Sequence, residues 1–482
     1  MKKRIIGLLI YTQLLFVLPN VFAVEKDFNF QKTKQDLAFL SPYITIDFSN
    51  IQNSFILNQQ QCENILNFDK SEQIVFDLLR KMLNLSDNQA ITTEMIKHLQ
   101  NEDFAKLSFK EQNLFLDLLD QVDYSDAKID KDSFGKERLG TKSEDFSQAP
   151  SILALACPNA LDFNIQIQEL DNKLNITNLS AVIGGKAINA AKTLVRFGRK
   201  VEIIGFNGQG KVGEKFNALL KTKGIENISF VKTKTDTRLN PMFFVKTQDE
   251  NIEKRILVPG GKITEQEEKE FWQNFEQILQ NSHVGQFLLI GGRIPPGLSD
   301  DFWCKVITKA KQKKIKCEFD FSISLTDEQI AITLSANPYI IKPNLEELAK
   351  ITKTDISQLQ NDFTIIKKAR ELNKQGIEIV IVSLGKAGSI LITKDLVLRA
   401  KVPEIDSENT VGAGDSFIGG FVHMLSLGKN IEEAYSFASA VGTATCLYPQ
   451  VETVNLNIVD TVRSKIKISS HLKYHVFIEN SI

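Results

Sequence analysis

The sequence predicts an α/β fold over residues 151–482: a central, mostly parallel sheet flanked by helices, with a small antiparallel lid. Three observations lead there. Compact β-rich runs such as "SILALAC", "VEIIGF", "QFLLIGG", "IKCEFDF", "YIIKPN" and "IEIVIVSLG" recur along the region. Segments of helical period separate them, among them "KAINAAKTLVRFG", "VGEKFNALLKTKG", "DDFWCKVITKAKQKK", "LEELAKIT" and "FTIIKKARELNKQG". Such alternation specifies βα units and a sheet covered on both faces. Several of the strands end in Gly, Asn or Asp, at the carboxyl ends where open α/β sheets bind ligands.

Two stretches break the alternation. Residues 163–185 and 228–259 alternate apolar and polar side chains without helix signals, so they read as half-exposed antiparallel strands. Placed over the main sheet, they form a lid that excludes water from a site.

The chain upstream has a different texture. Residues 1–23 carry Lys2, Lys3 and Arg4, an apolar stretch from Ile5 to Leu18, then Pro19, with Val21 and Ala23 small enough for a cleavage site after Ala23. That is the pattern of a secretory signal peptide, and the stretch is short for a membrane span. Residues 24–150 hold 14 Lys+Arg against 22 Asp+Glu and no glycine before Gly135. Apolar residues at 74, 75, 78, 79, 82 and 83 have helical spacing, and Ser108 with Glu111 has capping-box spacing. A helical N-terminal extension is expected over 24–122, regular from about 70, and a polar linker over 123–150.

Composition excludes several classes. With a formal net charge of −1 the whole chain shows no nucleic-acid-binding surface. The five cysteines are scattered and odd in number, against a disulfide framework.

Four stretches carry candidate chemistry. "GGKAINAA" (184–191) sets two glycines before a helix start, where Lys186 offers charge and Asn189 hydrogen bonds; a tight strand-to-helix turn explains it equally well. "GFNGQGKVGEKF" (205–216) fails the phosphate-loop pattern because valine follows Lys211, and a plain turn is favoured. In "KPNLEE" (342–347), Asn344 and Glu347 share a first helical turn and suit a hydrated Mg²⁺, although an N-cap with an acidic first turn suffices. "TVGAGDSF" (410–417) would aim successive N–H groups at a developing negative charge. Asp415 in its first turn would stay ionised and accept a hydroxyl proton.

Together these motifs resemble the PfkB (ribokinase-like) family of sugar kinases, and most of all its 1-phosphofructokinase and tagatose-6-phosphate kinase branch. The resemblance rests on "PNALD" (158–162), "GGKAIN" (184–189), "TRLN" (237–240), "IPPG" (294–297), "KPNLEEL" (342–348), "VSLGKAG" (382–388) and "NTVGAGDSF" (409–417), in the family's order. It implies a ribokinase-like fold and phosphorylation of a sugar phosphate by ATP with Mg²⁺, first of all fructose 1-phosphate to fructose 1,6-bisphosphate. It further implies Asp415 as base and Gly412, Ala413 and Gly414 as anion hole. Asp162, Gly185, Lys186 and Asn189 match sugar-binding positions. Arg238 matches the branch's arginine near the substrate phosphate, Asn344 and Glu347 the Mg²⁺–phosphate motif, and Ser383 and Gly385 a nucleotide loop. A homodimer through the lid strands is compatible with this reading.

The chain departs from the pattern at Ala187, Pro158–Asn159, Arg293 (where a small polar residue is usual) and "DFSIS" (320–324), which lacks the usual glycine. These departures leave a related sugar or nucleoside kinase, or a non-catalytic sugar-binding protein, as alternatives. ATP dependence points to the cytoplasm, whereas the N-terminal segment points to export or a membrane contact.

Overall fold

The computed structural model describes residues 73–86, 149–157, 159–170, 173–247, 250–405, 410–447 and 456–470, with isolated positions between 91 and 107. The chain divides into two compact units, Met1–Leu78 and Leu79–Ile482. Residues 73–82 are helical, as their spacing predicts, and Val75, Leu78, Leu79 and Met82 are buried. The signal-like segment, the helix expected at 108–122 and nearly all of the linker lie outside the described residues.

The α/β fold begins with β1 (Ile152–Ala156), β2 (Ala160–Leu170), β3 (Lys173–Gly184), α1 (Lys186–Arg196), β4 (Val201–Gly208), α2 (Lys211–Thr222) and β5 (Asn227–Thr233). Then come β6 (Arg238–Lys246), β7 (Asn251–Arg255), α3 (Glu265–Asn281), β8 (Phe287–Gly291), α4 (Phe302–Gln312), β9 (Lys316–Asp320) and α5 (Asp327–Ser335). β10 (Ile340–Ile341), α6 (Leu345–Ile351), α7 (Asp362–Lys374), β11 (Ile379–Ser383), β12 (Ser389–Ile392) and β13 (Val397–Lys401) follow. The described part ends with α8 (Ala413–Ser426), α9 (Ile431–Thr445), α10 (Leu456–Arg463) and β14 (Lys467–Ser470).

Among the described residues the main sheet has ten strands in the order β14-β13-β12-β11-β10-β9-β8-β1-β4-β5. It runs parallel from β5 to β11 and turns antiparallel at the β12–β14 edge. β1 is buried at every position, as a strand covered on both faces must be. Leu153 and Leu155 point into a cluster with Phe271 and Phe275 of α3 and Phe302 and Trp303 of α4. On the other face α8 lies between α1 and α9, and glycine sets the spacing. A Cβ at Gly419 would come within 2.9 Å of the Ala190 carbonyl oxygen, and one at Gly442 within 3.0 Å of the Ala413 carbonyl oxygen.

The lid is a separate four-stranded sheet in the order β3-β2-β6-β7. It corrects the sequence reading twice. β2 pairs parallel with β6, so the lid is mixed rather than antiparallel. Residues 228–233 also belong to β5 of the main sheet, paired with β4, and not to the lid. An alternating strand reads the same whether its partner runs with it or against it.

Candidate active site

The site forms along the carboxyl edge of the main sheet. Cys157, Gly291, Asp320, Lys342 and Ser383 stand at or just past the ends of β1, β8, β9, β10 and β11. β3 delivers the chain to the same edge, where Gly185 (φ 123°) turns it into α1. Few residues other than glycine adopt that angle, so the turn itself requires this one.

Asp415 lies in the first turn of α8, after Gly412 in the left-handed conformation (φ 76°). The close packing of α8 on α1 brings Asn189 within reach, and its Nδ2 donates to Asp415 Oδ2 at 2.8 Å. Asn189 is therefore tied to this carboxylate, although the sequence reading gave it to the sugar. Lys186 likewise does not stand apart as a free cation. Its Nζ donates to Asp320 Oδ1 at 2.9 Å and lies 3.9 Å from Glu347 Oε1. The charges of Asp320, Asp415 and Glu347 outweigh burial and hold the ammonium firmly protonated.

The carboxylates divide in character. Burial pushes Asp320 up, but Lys186, Lys342 and hydrogen bonds from Lys186 and Asp415 more than reverse it, leaving its pKa below the ordinary value. For Asp415, burial and then the Asp320 charge win over Lys186 and Asn189, and its pKa is raised. The helix N-terminus alone predicted an ionised group; its buried neighbour shifts that balance. Asp320 and Asp415 therefore titrate as a pair, the proton favouring Asp415. Glu318, two residues before Asp320 on the same face of β9, is raised well above the carboxylate range by burial and by Asp320.

Lys342 is 6% exposed and has no hydrogen-bond partner among the described residues. A Cβ on Gly414 would sit 2.9 Å from its Nζ, so this ammonium lies against the first turn of α8. The amides of such a turn have no partner within the helix, so both groups suit an anion there. The sequence reading missed Lys342, Asp320 and Glu318, although the first two stood inside motifs it singled out.

Asn344 and Glu347 cap α6 reciprocally. Asn344 Oδ1 accepts from the Glu347 amide at 2.8 Å, and Glu347 Oε2 accepts from the Asn344 amide at 3.0 Å. Capping thus occupies both groups of the expected metal motif and leaves Glu347 Oε1 facing Lys186. No group of three or more His, Cys, Asp or Glu side chains able to hold a metal occurs among the described residues. One outward carboxylate oxygen fits Mg²⁺ carried mainly by phosphate and water, not a protein cage. Ser383 bridges to Asn344 and donates from its amide to the Pro343 carbonyl at 3.0 Å. Gly385 (φ 58°) follows with open space before it.

On the lid, Asp162 accepts from Asn240 Nδ2 at 2.8 Å. It also fills the space above Gly184, where a Cβ would lie 2.3 Å from Asp162 Oδ2. Burial raises the Asp162 pKa against the pull of Asn240 and Arg238. Arg238 opens β6, donating from Nε to the Asn159 carbonyl at 3.1 Å and from Nη1 to the Val258 carbonyl at 3.3 Å. Ala187 is buried in the first turn of α1, so its extra methyl packs inward. The Gly-rich turn at 205–216 is structural, as favoured: Asp236 accepts from the Val212 and Gly213 amides at 3.0 and 2.9 Å. An open cleft of about 460 Å³ between α5 and α6, lined in part by Leu334, Lys350 and Lys353, includes none of these groups.

Along the sheet edge, then, stand Asp320 at the end of β9, Asp415 at the start of α8, and Lys186 and Lys342, with Arg238 on the lid. The pfkB family of carbohydrate kinases matches residues 160–457, which span all of these groups. The chain belongs to this family. It is a sugar kinase, transferring a phosphoryl group to a hydroxyl. It is 30% identical over 299 residues to the 1-phosphofructokinase of Borreliella burgdorferi, covering 61% of this chain and 92% of that one. It is 32% identical over 270 residues to the 1-phosphofructokinase of Bacillus subtilis, covering 56% and 83%. Phosphofructokinase-2 from Escherichia coli superposes with a TM-score of 0.58 at 26% identity, over 65% of this chain and 98% of that one. The fold is therefore ribokinase-like.

Proposed function

We propose that this kinase phosphorylates a sugar phosphate with ATP, first of all D-fructose 1-phosphate: D-fructose 1-phosphate + ATP → D-fructose 1,6-bisphosphate + ADP. The observation that carries the reading is Asp415, held by Asn189 in the first turn of α8 beside Lys342. The 1-phosphofructokinase names of the Borreliella and Bacillus relatives support the acceptor.

In this reading Asp415 accepts the proton of the acceptor hydroxyl as its oxygen attacks the γ-phosphorus. Its raised pKa makes it a stronger base than an ordinary aspartate. The amides of Gly412 and Gly414, with Lys342, face the charge on the transferred phosphoryl group, while the Ala413 amide donates to the Thr410 carbonyl at 3.4 Å. Asp162, fixed by Asn240, and the backbone at Gly185 receive sugar hydroxyls. Lys186 keeps Asp320 ionised and thereby sets the basicity of Asp415. Ser383 and Gly385 border the nucleotide. Glu347 Oε1 and Asn344 would hold Mg²⁺ through water, and the ion would supply neutralisation of nucleotide phosphate charge. ATP dependence favours the cytoplasm. Among the described residues no helix is long and apolar enough to cross a membrane. Two copies pair through the lid in this reading; the tetrameric form of the E. coli neighbour supports self-association.

Fructose 6-phosphate is the second reading, because an E. coli relative of 30% identity is named ATP-dependent 6-phosphofructokinase isozyme 2. A coupled ADP-release assay across fructose 1-phosphate, tagatose 6-phosphate, fructose 6-phosphate and unphosphorylated fructose tests the choice. The expected result is the highest kcat/KM with fructose 1-phosphate. Equal or better turnover of unphosphorylated fructose would overturn the sugar-phosphate reading.

A further inference from the structure

We propose that Thr193 and Ser416 are positioning residues for the reaction: a buried hydroxyl bridge between α1 and α8 that fixes the rotation of one helix on the other, and with it the aim of Asp415. The inference deepens the reading of Asp415 as base and rests on it for the identity of the reacting group.

The two helices meet through side chains more than 220 residues apart in sequence. Asn189 Nδ2 donates to Asp415 Oδ2 at 2.8 Å. One turn further along α1, Thr193 Oγ1 donates to Ser416 Oγ at 3.2 Å. Residues four apart stand one above the other on a helix face, so both contacts belong to the side of α1 that meets α8. A single contact would leave a pivot about which α8 could roll. The second contact removes that freedom. Thr193 is 4% and Ser416 6% exposed, so the bond between them is shielded from water.

Thr193 is itself held. Its hydroxyl also donates to the Asn189 carbonyl at 3.3 Å, a bond back along its own helix that selects its rotamer. Its methyl branch faces the crossing point of the helices, where a Cβ on Gly419 would lie 3.0 Å from Thr193 Cγ2. The hydroxyl thus serves Ser416 while the methyl fills the space beside Gly419. Asn189 depends on this support. Its Oδ1 is buried without a hydrogen-bond partner among the described residues. The Asp415 bond and the backbone of α1 are therefore what orient its amide, and a small roll of α8 spoils that aim. Ser416 adjoins Asp415 in the same helical turn, so a shift at one is passed directly to the other.

The test is ADP release by the full chain, with whichever of fructose 1-phosphate, tagatose 6-phosphate and fructose 6-phosphate it turns over fastest. The variants are Thr193→Val, Thr193→Ser, Ser416→Ala, the Thr193→Val/Ser416→Ala double variant and Asp415→Asn, each with its melting temperature. Thr193→Val keeps the shape and loses the hydroxyl; Thr193→Ser keeps the hydroxyl and loses the methyl. The kcat is expected to follow the hydroxyl. It should fall about 10-fold in Thr193→Val and in Ser416→Ala, with KM for ATP within about twofold of wild type. In Thr193→Ser it should stay within about threefold of wild type even as lost packing lowers the melting temperature. The double variant should lose no more than the larger single loss, since both hydroxyls serve one bond. Unchanged kcat in Thr193→Val and Ser416→Ala would overturn the bridge. So would losses that follow the melting temperature, with Thr193→Ser as impaired as Thr193→Val. Either result, beside an inactive Asp415→Asn, leaves Asp415 as the base. Full turnover by Asp415→Asn would overturn the base and the positioning role with it.

Discussion

Asp415 draws its basicity from a contest among its neighbours. Burial and Asp320 raise its pKa, while Lys186, Asn189 and Lys342 lower it. Catalysis uses the carboxylate form, so activity falls as pH drops through this raised pKa, at higher pH than an ordinary aspartate would give. Replacing Asp320 by Asn removes the largest raising charge and frees Lys186 to act on Asp415. Both changes lower the Asp415 pKa, so the acid limb of the kcat/KM–pH profile should move to lower pH. A limb that stays put or moves up would contradict the assigned coupling. At this scale the sequence was partly legible. The glycines around Asp415 and the spacing of Asn344 and Glu347 announced helix starts. The pairing of Asp320 with Lys186 was not legible, because 134 residues separate the partners and only the sheet order brings them together.

The elements that deliver these side chains depend on close backbone approach. α8 meets α1 at Gly419, where a Cβ would press on Ala190 and Thr193 at 2.9 Å. Gly419→Ala should therefore cost about 1–3 kcal/mol of stability through overpacking. It should also lower kcat, because Asn189 and Asp415 sit on the two helices being pushed apart. Thermal melting and steady-state kinetics of the variant check both effects, and an unchanged melting temperature would refute the packing account. The helical period of α1 and α8 was readable from apolar spacing. The lid was legible as exposed strands, yet the parallel β2–β6 pairing was not, since period-two alternation carries no strand direction. The same limit assigned residues 228–233 to the lid, when β5 completes the edge of the main sheet.

For the molecule as a whole, the residues assigned here all lie between Asp162 and Ser416, within the matched span of 160–457. The phosphoryl-transfer machinery is therefore expected to be complete without the N-terminal extension. A chain beginning at Ala149 should keep kcat within about threefold of the full chain, a change worth under about 1 kcal/mol. A larger loss would mean that the extension contributes to the site. The order of motifs along the chain made the fold class and family legible, because strand ends carry the chemistry in open α/β sheets. What spacing could not convey was the charge balance across the sheet edge. The central claim is that Asp415 takes the acceptor's proton. Its most direct test is ADP release with fructose 1-phosphate by wild type and Asp415→Asn, with acceptor binding measured alongside by calorimetry. The expected kcat of Asp415→Asn is lower by about 10²–10⁴-fold with acceptor affinity retained; full turnover by this variant would rule out Asp415 as the base.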